Sequence, residues 1–136
     1  MTRTGRCACG SVTYSTTAAD LWAGHCHCES CRRASSAPVT SFFGVPRDSV
    51  TWNGEIAVRA SAAGVQRGFC AQCGTQLYYQ FDGWPDETHL YAATLDDPTQ
   101  FHPTAHFHFA ERVPWLTVTD DLPKYAASAE TTEPMP

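Results

Sequence analysis

Apolar and polar residues alternate along much of this chain, and no long apolar stretch repeats every three or four residues. That period of two predicts half-buried strands; its helical counterpart is missing, so little helix is expected beyond short turns. Ser11-Val-Thr-Tyr-Ser15 alternates cleanly, and Leu21-Trp-Ala-Gly-His25 leads a second strand into a cysteine group. Thr40-Ser-Phe-Phe-Gly-Val45, Ile56-Ala-Val-Arg-Ala60 and Gln66-Arg-Gly-Phe69 read as further strands. Trp52-Asn-Gly54 carries a hairpin signal, because Asn-Gly readily takes positive φ. Thr75-Gln-Leu-Tyr-Tyr-Gln-Phe81 and Thr88-His-Leu-Tyr-Ala-Ala-Thr94 read as a pair joined through Gly83-Trp-Pro85. His106-Phe-His-Phe109 makes a last strand with both histidines on one face. Residues 29–35 predict one helical turn. From Ala126 to Pro136 the chain is small, acidic and proline-containing, and is expected to lack order.

The 136 residues suffice for one domain with a modest core. No opening stretch resembles a signal peptide, and no apolar run reaches the roughly 18 residues of a membrane span. A formal charge of −5, with nine scattered Lys and Arg, makes the chain a poor electrostatic partner for nucleic-acid phosphates. A cytoplasmic protein with reduced thiols is expected, with no membrane or nucleic-acid partner.

Cysteine changes the picture most. The seven cysteines fall in three tight groups, Cys7-x-Cys9, Cys26-x-Cys28-x-x-Cys31 and Cys70-x-x-Cys73. A disulfide framework would want separated partners and an even count. Zinc prefers four thiolate-type ligands in a tetrahedron, and a catalytic zinc keeps one position open. Seven then divides as four plus three, giving two zinc ions per chain. Cys70-x-x-Cys73-Gly74 has the form of a zinc knuckle, and Cys7-x-Cys9-Gly10 matches it. The assignment is Cys7, Cys9, Cys70 and Cys73 on a structural zinc, and Cys26, Cys28 and Cys31 on a catalytic one. Pairing of Cys7 and Cys9 with Cys26 and Cys28 is the alternative.

Three segments, Gly5-Arg-Cys-Ala-Cys-Gly-Ser-Val12, Cys26-His-Cys-Glu-Ser-Cys-Arg-Arg33 and Phe69-Cys-Ala-Gln-Cys-Gly-Thr-Gln-Leu77, carry a resemblance. They resemble the glutathione-dependent formaldehyde-activating enzyme family, which also includes centromere protein V. Leu95-Asp-Asp-Pro98 through His106, Pro114-Trp115 and Asp121-Leu-Pro123 is similar to that family's later half. The resemblance covers about residues 3–125. It implies a mainly β, Mss4-like zinc-containing antiparallel β domain with short helical turns, spanning 1–125, and the same four-plus-three division. It also implies a carbon–sulfur lyase that acts on thiol–carbonyl adducts, with glutathione as the thiol. One departure stands beside the three-cysteine group: the family commonly has a glycine shortly after the Arg-Arg pair, where this chain has Ala34-Ser-Ser-Ala-Pro38.

Around the open zinc, Arg32 and Arg33 would stabilise the sulfurs or receive a substrate carboxylate, since arginine pairs carboxylates in a bidentate way. His106 is the candidate proton shuttle, with His108 second. His25 and His27 read as packing residues rather than ligands. Trp84, Trp115 and the Tyr78-Tyr79 pair read as core and strand-pairing residues, and Asp96-Asp97 before Pro98 as a turn. The competing functional readings are a non-catalytic two-zinc module that binds a protein partner, and a thiol redox or metal-buffering protein.

Overall fold

The computed structural model describes residues 1–136. Its strands are β1 (Arg3–Arg6), β2 (Thr13–Thr16), β3 (Trp22–Cys26), β4 (Thr40–Pro46) and β5 (Val50–Asn53), followed by β6 (Ile56–Ala62), β7 (Val65–Cys70), β8 (Gln76–Phe81), β9 (Glu87–Tyr91) and β10 (His106–Phe107). One α-helix, α1 (Glu29–Ser35), and several single 3₁₀ turns complete it, so the chain is mainly β as its alternation predicts. No helix is long and apolar enough to cross a membrane. Contacts divide the chain into two compact units, one of residues 1–22 with 43–101 and one of 23–42 with 102–136.

In the first unit, β1, β2 and β5 form an antiparallel sheet with Gly5 opposite Tyr14 and Tyr14 opposite Trp52. Tyr14 is buried, and its hydroxyl meets Thr94 Oγ1 at 2.9 Å, which satisfies the polar end of an apolar ring. Strands β6 to β9 form an antiparallel meander. Cys7, Val12, Cys70 and Leu77 are buried together, with Trp52, Ile56 and Tyr78 packed against them. Two cysteines are therefore core residues of this unit. Arg3 is buried because Asp20 pairs with it at 2.7 Å, Ala18 O accepts from it, and the Phe43 ring lies 4.5 Å beneath its guanidinium.

The Asn-Gly signal at 53–54 is a correction. It does not close a hairpin: β5 pairs with β2, whereas β6 pairs with β7. Gly54 still needs its positive φ of 103°, and a Cβ there would stand 2.1 Å from Ser11 O. The turn chemistry was legible, but the partner on its far side was not. Asp97 behaves as expected of a turn residue, with Oδ1 accepting from Thr99 N at 3.0 Å.

In the second unit the strand order is β10-β3-β4. β10 runs parallel to β3, with His106 opposite His25 and Phe107 opposite Cys26. The predicted strand over 106–109 is cut short, because His108 takes a left-handed φ of 53°. His106 and His108 therefore do not share a strand face. Trp115 is 71% exposed, which corrects its expected place in a core. Beyond Ala126, where no fixed order was expected, Ala127 O accepts from His108 N at 2.9 Å, and Met135 N donates to Lys124 O at 2.7 Å.

Candidate metal centres

Four cysteines of the first unit converge. Cys7 and Cys9 lie just after β1, and Cys70 and Cys73 at the end of β7, with Sγ atoms all within 4.8 Å of one another. Each pair sits in a tight turn of the same design. Cys7 N donates to Val12 O at 3.0 Å and Gly10 N to Cys7 O at 3.1 Å; Cys70 N donates to Thr75 O and Gly74 N to Cys70 O, both at 2.9 Å. Gly10 and Gly74 both have φ of 81°, a conformation that L-residues adopt at a cost. The turns aim backbone amides at sulfur: Val12 N lies 3.2 Å from Cys7 Sγ, and Cys73 N lies 3.3 Å from Cys70 Sγ.

This cage fits zinc on its own dimensions. Sulfurs bonded at about 2.3 Å in a tetrahedron stand about 3.8 Å apart. Cys7 and Cys9 Sγ are 3.6 Å apart, and Cys9 and Cys70 Sγ are 3.8 Å apart. Burial raises the Cys7 thiol, but the Val12 amide and neighbouring thiols outweigh it and bring it down to about 7. The hydroxyl and amide of Thr75 bring Cys73 down to about 5. Both thiols are thus inclined toward the thiolate form that a metal requires.

The remaining three cysteines meet in the second unit, again with Sγ atoms within 4.8 Å. Cys26 ends β3, Cys28 is the N-cap of α1, and Cys31 lies inside that helix. The Cys28 sulfur accepts from Cys31 N at 3.3 Å, as an N-cap should. Cys26 and Cys31 are buried and Cys28 is half-buried, so the trio has one wetter member. Hydrogen bonds from the Cys26 and Cys31 thiols draw Cys28 down to about 2, with the charge of His108 adding to the effect. Cys28 and Cys31, with burial adding to them, push Cys26 far above the ordinary thiol range. Cys28 therefore ionises ahead of Cys26. Cys7 and Cys9 are grouped with Cys70 and Cys73, not with this trio.

The basic residues after Cys31 differ from each other. Arg32 is committed to backbone, donating to His27 O at 3.3 Å and Glu111 O at 3.2 Å. Arg33 stands exposed and pairs with Glu29 at 3.4 Å across one helical turn, a contact worth a few tenths of a kcal/mol. His108 is 38% exposed, with Nδ1 3.5 Å from Glu111 Oε2.

Sequence reasoning placed His106 near the chemistry but missed its partners. His106 is buried; Nδ1 meets His27 Nε2 at 2.8 Å, and Nε2 lies 3.0 Å from both Asp120 oxygens. His25 stacks beside it, ring centroids 4.9 Å apart, and holds Ser41 Oγ through Nδ1 at 2.8 Å. Only the parallel register of β10 on β3 brings these histidines together, and no local pattern points to Asp120.

Burial, followed by the nearby His106 and His25, lowers His27 to about 4. An unfolded chain takes up that proton near pH 6.5, so the folded state binds fewer protons between pH 6.5 and 4. Stability from this site is complete above pH 6.5 and is lost as pH falls toward 4. An NMR titration should find the His27 ring still neutral at pH 5.5; a midpoint at the ordinary histidine value would refute its burial-driven shift.

Comparison with known proteins identifies the family and the fold. A family profile described as glutathione-dependent formaldehyde-activating enzyme matches residues 2–111. An uncharacterized lyase of Schizosaccharomyces pombe is 32% identical over 77 residues, which is 57% of this chain and 56% of that protein. The chain thus spans a little over half the length of that relative. A crystal structure of a Rhodobacter sphaeroides protein superposes with a TM-score of 0.58 at 21% identity, over 68% of this chain and 87% of that one. At that identity the likeness is one of fold.

Proposed function

Because the chain belongs to the glutathione-dependent formaldehyde-activating enzyme family, we propose that it is a zinc-dependent carbon–sulfur lyase. In this reading it makes and breaks the bond between a small thiol, such as glutathione, and formaldehyde. The observation that carries the reading is the trio itself: Cys26, Cys28 and Cys31 converge as three ligands where the other centre has four. Cys7, Cys9, Cys70 and Cys73 would hold a structural zinc, and the trio a catalytic one. When bound there, zinc would supply Lewis acidity and a fourth position that favours an incoming thiol in its deprotonated form.

The chain's own residues would do the rest. In the forward direction a carbon–sulfur bond forms at the carbonyl carbon, its π pair moves to oxygen, and the thiol proton ends on that oxygen. His108 is the proton carrier in this proposal, since it is partly exposed and acts electrostatically on Cys28. His106 suits that task less, because both its ring nitrogens are engaged by His27 and Asp120. Arg33, whose only partner in an ion pair is the exposed Glu29, would receive a substrate carboxylate. Arg32, through the His27 carbonyl, would fix the loop between Cys26 and Cys28. The dependence on reduced thiols matches the cytosol as the place of action.

The test uses zinc-loaded protein, glutathione and ¹³C-formaldehyde, with exchange between free aldehyde and adduct followed by NMR. Exchange should accelerate in proportion to protein. A rate equal to the uncatalysed one would overturn the proposal.

A further inference from the structure

We infer that His25, His106 and Asp120 form a third metal centre, a two-histidine, one-carboxylate site for a divalent first-row transition ion. Each of the three offers a ligand atom within 4.8 Å of the others. They come from separate parts of the second unit: His25 from β3, His106 from β10, and Asp120 from the segment after Leu116. Two imidazoles and one carboxylate are the donor set of open catalytic and transport sites, and they leave at least one coordination position for water or another ligand. The donors are nitrogen and oxygen throughout, so the site differs in kind from the two thiolate cages.

Bracing of the histidines argues for coordination over chance proximity. A metal-bound histidine is held by a hydrogen bond at its other ring nitrogen. Here Ser41 Oγ holds His25 at Nδ1, and His27 Nε2 holds His106 at Nδ1, each at 2.8 Å. Nε2 would then be the coordinating atom of both. The carboxylate can only accept, so without an ion His106 Nε2 carries a proton toward Asp120, and a metal entering between them would take that proton's place on Nε2.

Distances agree as well. His106 Nε2 lies 3.0 Å from each Asp120 oxygen. Nitrogen and oxygen ligands bonded at about 2.0–2.1 Å in a tetrahedron stand about 3.3 Å apart, so an ion enters with shifts of a few tenths of an ångström. His106 is 3% exposed while the Asp120 side chain is 42% exposed, so the carboxylate marks the side of entry.

The experiment starts from protein whose thiolate cages are saturated with zinc, and adds Co(II). A third ion per chain should bind, with visible d–d bands and no sulfur-to-metal charge transfer. Asp120→Asn should weaken it more than a hundredfold and leave two zinc ions in place. Ser41→Ala, which removes only a bracing partner, should weaken it about 10–100-fold. Asp120 is exposed enough for its variant to fold even where a histidine variant fails. Binding that stops at two ions per chain, or a third whose affinity Asp120→Asn leaves unchanged, would overturn the inference. Turnover of any substrate plays no part in the readout, so its outcome is separate from that of the lyase reading.

Discussion

Cys70→Ser should yield a chain that holds one zinc ion fewer and no longer melts cooperatively. Cys70 is 1% exposed and belongs to the cluster formed with Cys7, Val12 and Leu77. Its sulfur receives amides of Gln72 and Cys73 at 3.4 and 3.3 Å. A hydroxyl in its place is a poor zinc ligand, and without the ion it is a buried polar group among apolar neighbours. Structural zinc contributes about 10–16 kcal/mol of apparent binding free energy in small metal-dependent folds, as much as the whole stability of an ordinary domain, about 5–15 kcal/mol. Metal analysis with a thermal melt by circular dichroism checks both halves of the result. A cooperative transition near that of the parent would show that the cage contributes little to folding.

The opposite pattern is expected from Cys28→Ser: turnover falls about 10³-fold while the melt barely moves. Cys28 is half-buried and caps α1, a position where serine is itself among the preferred residues. The serine hydroxyl can accept from Cys31 N as the sulfur does, so the helix keeps its cap. In the proposed mechanism, what disappears is one of three ligands, and with it the several kcal/mol of charge stabilisation a catalytic metal would provide. At 1.4 kcal/mol per decade, about 4 kcal/mol corresponds to the thousandfold loss. Turnover within tenfold of the parent would remove the trio from the chemistry. Unfolding as complete as that of Cys70→Ser would make it a second structural cage.

How far the chain could be read in advance follows from the range of the interactions involved. α1 was legible to the residue, because a capping position and a seven-residue window decide so short a helix. β4 was legible because Thr40 to Val45 is a bounded apolar run. β1 was not: Arg-Thr-Gly-Arg has no apolar alternation, and pairing with β2 makes it a strand. The same holds for Asn53-Gly54, whose turn chemistry is local while its strand partners are not. The cysteine groups were visible since their members lie two or three positions apart, whereas the meeting of Cys7 and Cys9 with Cys70 and Cys73 is set by the fold. The neighbourhood of His25, His27, His106 and Asp120 was largely hidden. His27 joins His106 across 79 positions, and a single left-handed residue, His108, decides which histidine turns outward.

The wide gap between the two glycine-ended knuckles also sets a timetable for the nascent polypeptide. Cys9 and Cys70 are 61 positions apart, and the trio at 26–31 leaves the ribosome between them. At about 5–20 residues per second, the amino-terminal pair waits about 3–12 s for its proper mate. During that interval the thiols of the trio are the nearest alternative for any captured ion. An ion captured in that interval would have to exchange fast enough to leave a mispaired site before synthesis ends.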